Sequence, residues 1–172
     1  PAMPAIGFTP LPVQTDMTFD RVAVPQGYTA RVLFAWGDPI RTGAPAWRSD
    51  ASNDWRDQLQ QAGDNHDGMH FFPFDHAPNE HGLLVINHEK VALTFLHPQG
   101  PTFTRDANGR RQRPEAEVKK EQAAHGVSVI EVRKGEDGQW QRVMDSRYNR
   151  RITGMTAMTL RGPAAGTDAL KT

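Results

Sequence analysis

The sequence predicts a mainly β domain of short antiparallel strands with one or two short helices, on three observations. Thirteen prolines and fifteen glycines are spread along the 172 residues, and such frequent breakers favour short strands and turns over a helical bundle. Strand-like pairs recur at a loose spacing of about 40 residues, which is typical of propeller blades. The length suits one domain with its own core and is short for two, so residues 1–172 are expected to form a single β-rich domain.

Apolar runs bounded by turn residues predict the strands. The clearest pair is a hairpin, in which Val127–Arg133 and Gln139–Asp145 flank a loop whose Asp137 and Gly138 suit a positive φ angle. In its first arm, Glu131 and Arg133 indicate an end that reaches solvent. The predicted strands are Arg21–Val24, Ala30–Trp36, Met69–Phe74, Leu83–Asn87, Val91–Leu96, Val127–Arg133, Gln139–Asp145 and Arg151–Met155.

Two segments predict helices instead. Ser49–Gly63 offers Ser and Asn as caps, apolar residues at helical spacing and a glycine as its stop. The second helix is expected from Pro114 onward, because proline suits the first turn and Glu115 and Glu117 suit the positive end of the helix dipole. The basic run Arg110–Arg113 that precedes it is interpreted as a solvated loop, since acidic residues adjoin it and no glycine-rich phosphate loop follows.

Composition excludes several classes of function. Twenty Lys and Arg balance twenty Asp and Glu, so no net field draws the chain onto nucleic acid or an anionic bilayer. No apolar run approaches the roughly 20 residues of a membrane span, and no signal peptide precedes Pro1, so the chain is expected to be mature, trimmed or excised. There is no cysteine. Any metal must therefore take oxygen or imidazole ligands.

Chemistry is expected in the segment from His66 to His97, which holds six of the seven histidines. His66 and His70 have the spacing of a zinc-protease helix, but Gly68 lies between them and the glutamate base is missing. A calcium-loop alignment fails as well, because Gly63 and Phe74 occupy positions that need carboxylates. An oxygen-rich turn remains, whose side chains either cap the turn or bind a ligand.

The stretch Asn87-His88-Glu89 ends an apolar strand abruptly. A carboxylate at the inner end of a buried strand is costly unless it meets a cation, and a metal would supply one. The alternatives are a surface turn with a Glu89–Lys90 pair, and a structural, hydrogen-bonded role for His88. Serine-nucleophile elbows, phosphate-binding glycine loops and dinucleotide fingerprints are absent from the sequence.

Seven stretches in order resemble the amino-terminal part of the PhoX-type bacterial alkaline phosphatases. Two departures stand out: Lys90-Val-Ala where the family has an aromatic residue and Thr-Asn, and a variant segment at Phe103–Arg113. The resemblance covers nearly the whole chain. Its stretches are Gly7–Leu11, Val24–Tyr28 with Val32–Asp38, Asn65–Pro73, Gly82–Glu89, Ala123–Val129, Asn149–Thr153 and Gly162–Gly166.

The resemblance implies an exported, periplasmic or secreted enzyme that uses the twin-arginine (Tat) pathway and folds as a six-bladed β-propeller. Calcium and iron at the mouth of the propeller channel would support hydrolysis of phosphate monoesters, the expected substrate. Position by position, it points to Glu89 as a metal ligand, with Asn65, Asp67 and His88 as weaker candidates. No catalytic residue is assigned.

At four strands per blade, the chain yields about three blades of a partial propeller. It is therefore expected to be the amino-terminal portion of a longer phosphatase, to pair with the remainder of its own propeller, and to be inactive alone. The iron-binding cysteine of the family would lie beyond Thr172. The alternative function is a non-catalytic β-rich binding or interaction module whose exposed strand edges recruit a partner.

Overall fold

The computed structural model describes residues 7–170 of the chain. Contacts divide the chain into two compact units, Pro1–Leu33 and Phe34–Thr172. The described part of the first unit consists of turns and extended segments, with backbone bonds such as Tyr28 N to Pro25 O at 3.0 Å. The strands predicted at Arg21–Val24 and Ala30–Trp36 do not form, because these apolar residues find no neighbouring strand to pair with.

The second unit contains every helix and strand of the described residues. A 3₁₀ turn at Asp168–Leu170 follows them. In chain order the elements are α1 (Trp55–Gln58), β1 (His66–Pro73), β2 (His81–His88), α2 (Leu93–Leu96), β3 (Thr104–Arg105), β4 (Arg111–Gln112), α3 (Glu115–Ala124), β5 (Gly126–Lys134), β6 (Trp140–Arg142) and β7 (Arg150–Ile152).

The main sheet is antiparallel throughout, so the predicted mainly β class with few helices is confirmed. Its strands lie in the order β1-β2-β5-β6, and β7 pairs with the same edge of β5 as β6, nearer the start of the strand. β3 and β4 form a separate two-stranded sheet. The described strands thus form one five-stranded sheet and one small hairpin, and the sheets do not close on themselves.

β5 is the most deeply buried strand. Its side chains from Ser128 to Val132 are all buried, and Ile130 pairs with Leu84 of β2. This contradicts the expectation that Glu131 marks a solvent-exposed end: Glu131 is buried because His81 and Ser146 both bond its carboxylate, whereas Arg133 is exposed as expected.

The helix predicted from Pro114 is confirmed as α3, with Pro114 as its N-cap and Glu115 and Glu117 in the first turn. The helix predicted within Ser49–Gly63 is only one turn long. Asp54, rather than a Ser or Asn, caps it by accepting hydrogen bonds from the Arg56 and Asp57 amides.

The strand predicted at Val91–Leu96 is wrong. Both edges of β2 are already paired, by β1 and β5, so the next apolar run cannot pair with the strand that it follows. The segment turns instead: Ala92 N donates to the Asp64 carboxylate at 2.8 Å, α2 follows, and Leu96 is buried in the core. α2 brings the helices to three, one more than the upper number expected.

Arg151 ties the helices to the sheet. Its guanidinium donates to the carbonyls of Gln58, the last residue of α1, and of Gln61 just after it, and to those of Ala123 and His125 at the end of α3. These carbonyls lie where a helix ends and its own donors run out. Burial lowers the pKa of Arg151 to about 10, which still leaves the group charged at neutral pH. Among residues 7–170, no helix is long and apolar enough to span a membrane.

Candidate metal centre

The structure brings two of the predicted metal ligands together at one end of the β1–β2 pair. Asn65 immediately precedes β1, and Glu89 immediately follows β2. The Glu89 amide donates to the Asn65 carbonyl at 3.2 Å, and Asn65 Nδ2 donates to the carbonyl of Lys90 at 2.9 Å. Asn65 has a φ of 46°, a left-handed conformation that asparagine tolerates better than most residues. Both side chains are exposed.

Asp67 lies in a bulge of β1, between the pairs His66–His88 and Met69–Ile86. The bulge is held from β2 by Asn87, whose Oδ1 accepts from the amides of Asp67 at 3.2 Å and Gly68 at 2.6 Å. Asn87 therefore has a structural role, which the polar end of the apolar strand does not reveal by itself. The carboxylate of Asp67 is exposed and has no hydrogen-bond or ion-pair partner among residues 7–170.

His88 differs from the other candidates because it is buried, with 2% of its surface exposed. Its Nε2 lies 2.6 Å from Ser128 Oγ on β5, and its ring packs edge-on against His66. Burial, with the charges of Arg151 and His66 adding to it, lowers the pKa of His88 to about 3. This is the environment of the structural histidine considered as an alternative, and a metal-ligating role for His88 stays a prediction.

The donor atoms at this strand end fit calcium. Ca²⁺ prefers carboxylate, amide and carbonyl oxygens, and the carboxylates of Glu89 and Asp67 have no protein partner within the described residues. Glu89, Asp67 and His88 do not form a triad of ligand atoms within 4.8 Å of one another, so a cation here needs water or further ligands. Iron held through cysteine does not fit this chain, which has no cysteine.

A second group of potential ligands, missed by the sequence interpretation, is His97, Glu117 and Glu121. His97 Nε2 lies 3.0 Å from Glu121, and Arg113 donates to both glutamates. Burial of Glu117 acts upward on its pKa, but hydrogen bonds from Thr102 and Arg113 outweigh it and lower the pKa to about 2. The position between the carboxylates is thus filled by a guanidinium. The spacing of four residues between Arg113, Glu117 and Glu121 is the sequence signal for this network.

Comparison with known proteins is consistent with the sequence resemblance. The family model of alkaline phosphatase PhoX matches residues 6–172. A solved structure of Pseudomonas fluorescens PhoX in complex with vanadate, a transition state analogue, superposes with a TM-score of 0.74 at 38% sequence identity. The match covers 85% of this chain and 23% of that one, so the chain spans about a quarter of its length. No curated protein matches. The chain belongs to the PhoX alkaline phosphatase family.

Proposed function

We propose that the chain contributes the first part of a metal-dependent phosphatase that hydrolyses phosphate monoesters. Family membership over residues 6–172 is the observation that carries this proposal. The relative from P. fluorescens binds vanadate as a transition state analogue. Vanadate mimics a phosphoryl group in transfer, so a phosphate ester is the substrate class we infer for this chain.

Within the proposal, Glu89 is the principal metal ligand of this segment. Asn65 and Asp67 are supporting ligands, with His88 a weaker candidate. The hydrogen bonds of Asn65 to Lys90 and of Asn87 to the β1 bulge hold the segments that carry the oxygens, so little ordering is needed when calcium binds. A cation bound here offsets the negative charge on phosphoryl oxygens in the transition state.

The proposal extends to the whole protein. The chain would be the amino-terminal portion of a longer propeller enzyme, exported to the periplasm or beyond by the twin-arginine route. Iron would be held by residues outside this chain. The match to 23% of the P. fluorescens structure supports a longer enzyme, because that protein uses a much longer chain. We expect residues 1–172 alone to be inactive.

Calcium titration calorimetry on the 172-residue chain tests the role of Glu89. We expect Glu89→Gln to reduce calcium affinity at least tenfold, because an amide cannot replace a carboxylate as a charged ligand. The matched control is Glu136→Gln, which changes an exposed glutamate in the β5–β6 loop and should bind calcium normally. Equal affinity in Glu89→Gln and the unaltered chain would remove Glu89 as a ligand.

Activity is tested on a protein that continues this sequence to the length of the P. fluorescens enzyme. We expect it to hydrolyse p-nitrophenyl phosphate and to lose that activity with a calcium chelator. A folded, metal-loaded protein that is silent on every phosphate monoester would contradict the proposal. Absence of phosphatase activity, together with capture of a partner chain, would instead favour the alternative function of a non-catalytic binding module.

A further inference from the structure

A cavity of about 690 Å³ lies around the start of β2, at the other end of the strand from Glu89. Eight strand residues separate the two ends by about 23 Å, so this is a separate site. Its lining includes the acidic side chains Asp75 and Asp145 and the histidines His76 and His81. Nothing in the proposed phosphatase chemistry uses these residues.

Four side chains in the cavity wall form a continuous hydrogen-bonded series. His76 Nε2 lies 3.2 Å from His81 Nδ1, and His81 Nε2 lies 2.6 Å from Glu131 Oε1. Ser146 Oγ donates to the other oxygen, Glu131 Oε2, at 2.5 Å. His81 and Glu131 are both buried, while His76 is exposed at the cavity mouth.

The contact with Glu131 determines which ring nitrogen of His81 carries the hydrogen when the ring is neutral. Glu131 Oε2 accepts a hydrogen bond from Ser146 Oγ, and Glu131 Oε1 faces His81 Nε2. An ionised carboxylate only accepts hydrogen bonds, so His81 donates to it from Nε2. In the neutral ring, Nδ1 is then left with its lone pair directed at His76.

The distance between His76 Nε2 and His81 Nδ1 matches the distance expected between two nitrogens that bind one metal ion. Two imidazole nitrogens, each about 2.05 Å from a tetrahedral zinc, are about 3.3 Å apart, and here the distance is 3.2 Å. In protein zinc sites, the second nitrogen of a ligating histidine typically donates to a carboxylate, which sets the tautomer and orients the ring. Glu131 has that relation to His81.

We propose that His76 Nε2 and His81 Nδ1 are two ligands of a divalent transition-metal ion of the zinc class, with Glu131 as the positioning residue for His81. On binding, the proton of His76 moves from Nε2 to Nδ1, and both ligand nitrogens present lone pairs. Water supplies the remaining coordination, since among the described residues neither Asp75 nor Asp145 brings a carboxylate oxygen within 4.8 Å of both histidine nitrogens.

The local charges are compatible with a cation. The site has three acidic side chains, Glu131, Asp75 and Asp145. Two basic side chains lie near them: Arg133, whose Nη2 is 3.5 Å from His81 Nε2, and Arg147. Arg147 donates to the Tyr148 hydroxyl at 2.8 Å. Three carboxylates thus face two guanidiniums before the metal binds. Only two protein ligands are preorganised, so we expect affinity near the micromolar range rather than that of a closed structural site.

Zinc titration calorimetry on the 172-residue chain tests the site, together with the visible spectrum of the cobalt-loaded chain. We expect His76→Ala to weaken zinc binding at least tenfold and to abolish the tetrahedral cobalt bands. His70→Ala removes another exposed histidine and should change neither. His76 is exposed, so its replacement should not disturb folding, which circular dichroism checks.

Zinc binding of equal strength in His76→Ala and the unaltered chain would overturn the proposal, whether zinc then binds at the His97 cluster or elsewhere. Absence of zinc binding by the unaltered chain would overturn it too. Glu131→Gln should weaken binding about 10- to 100-fold without removing the metal. Failure of this site is distinguishable from failure of the phosphatase proposal, because Glu89→Gln reports on calcium and should leave zinc binding intact.

Discussion

At the scale of single residues, His88 shows how burial fixes a protonation state. Its pKa is about 3 in the folded protein against 6.5 in an unfolded chain, with burial as the main cause. Protonation of His88 therefore favours unfolding. The stability that the neutral ring provides is fully present above about pH 6.5 and declines as the pH falls below that value toward 3.

This predicts a specific acid sensitivity. Between pH 7 and 4.5 we expect His88→Asn to lose less free energy of unfolding than the unaltered chain does, by about 2 kcal/mol. Urea unfolding at the two pH values measures the difference. His70→Asn, which changes an exposed ring, should follow the unaltered chain. If His88→Asn and the unaltered chain lose equal stability, the buried ring is not the group that senses acid.

The residues of the candidate metal centre could be predicted only in part. An acidic residue next to the end of an apolar strand drew attention to Glu89, and the structure places it beside Asn65. The His81–Glu131 pair could not be predicted, because its partners are fifty residues apart and meet only through the register of β2 with β5. Periodicity gives the faces of a strand but not its partner.

At the scale of elements, local sequence signals predicted the helices and strands whose conformation depends mainly on their own residues. The β5 strand and α3 were predicted from turn residues, a first-turn proline and charge placement. α2 was misassigned because an apolar run of six residues suits a strand or a buried helical turn equally well. Which one forms here depends on whether β2 has a free edge, and β5, about 40 positions later in the chain, occupies that edge.

Arg151 carries the prediction at this scale. We expect Arg151→Met to cost on the order of 3 kcal/mol, because it leaves carbonyls at the ends of α1 and α3 without their donor. Urea unfolding measures the loss. Arg150→Met is the matched control, since Arg150 is exposed on the same strand, and it should cost under about 0.5 kcal/mol. Similar costs for the two variants would show that the guanidinium contacts are not stabilising.

At the scale of the whole molecule, the sheet has an open edge. β1 pairs only with β2 in the described chain, and it exposes half of Phe72. An unpaired strand with exposed apolar side chains is a site for association with another chain. The match covers 23% of the P. fluorescens relative.

We therefore expect the 172-residue chain to self-associate as its concentration rises, and Phe72→Lys to shift it toward the monomer. Light scattering during size-exclusion chromatography measures the mass. Phe95→Lys is the control, because Phe95 is at least as exposed but lies in α2, away from the edge. A monomer at every concentration, or equal effects of both variants, would contradict the role of β1.

The position of β5 has a consequence for biosynthesis. β5 pairs with β2, made earlier, and with β6 and β7, made later. During translation the β1–β2 hairpin can form early, but the backbone of β5 stays unpaired along one edge until Ile152 has left the ribosome. A nascent chain paused before that residue would therefore expose an unpaired strand edge to chaperones. Slow codons between β5 and β7 should then lower the yield of folded protein.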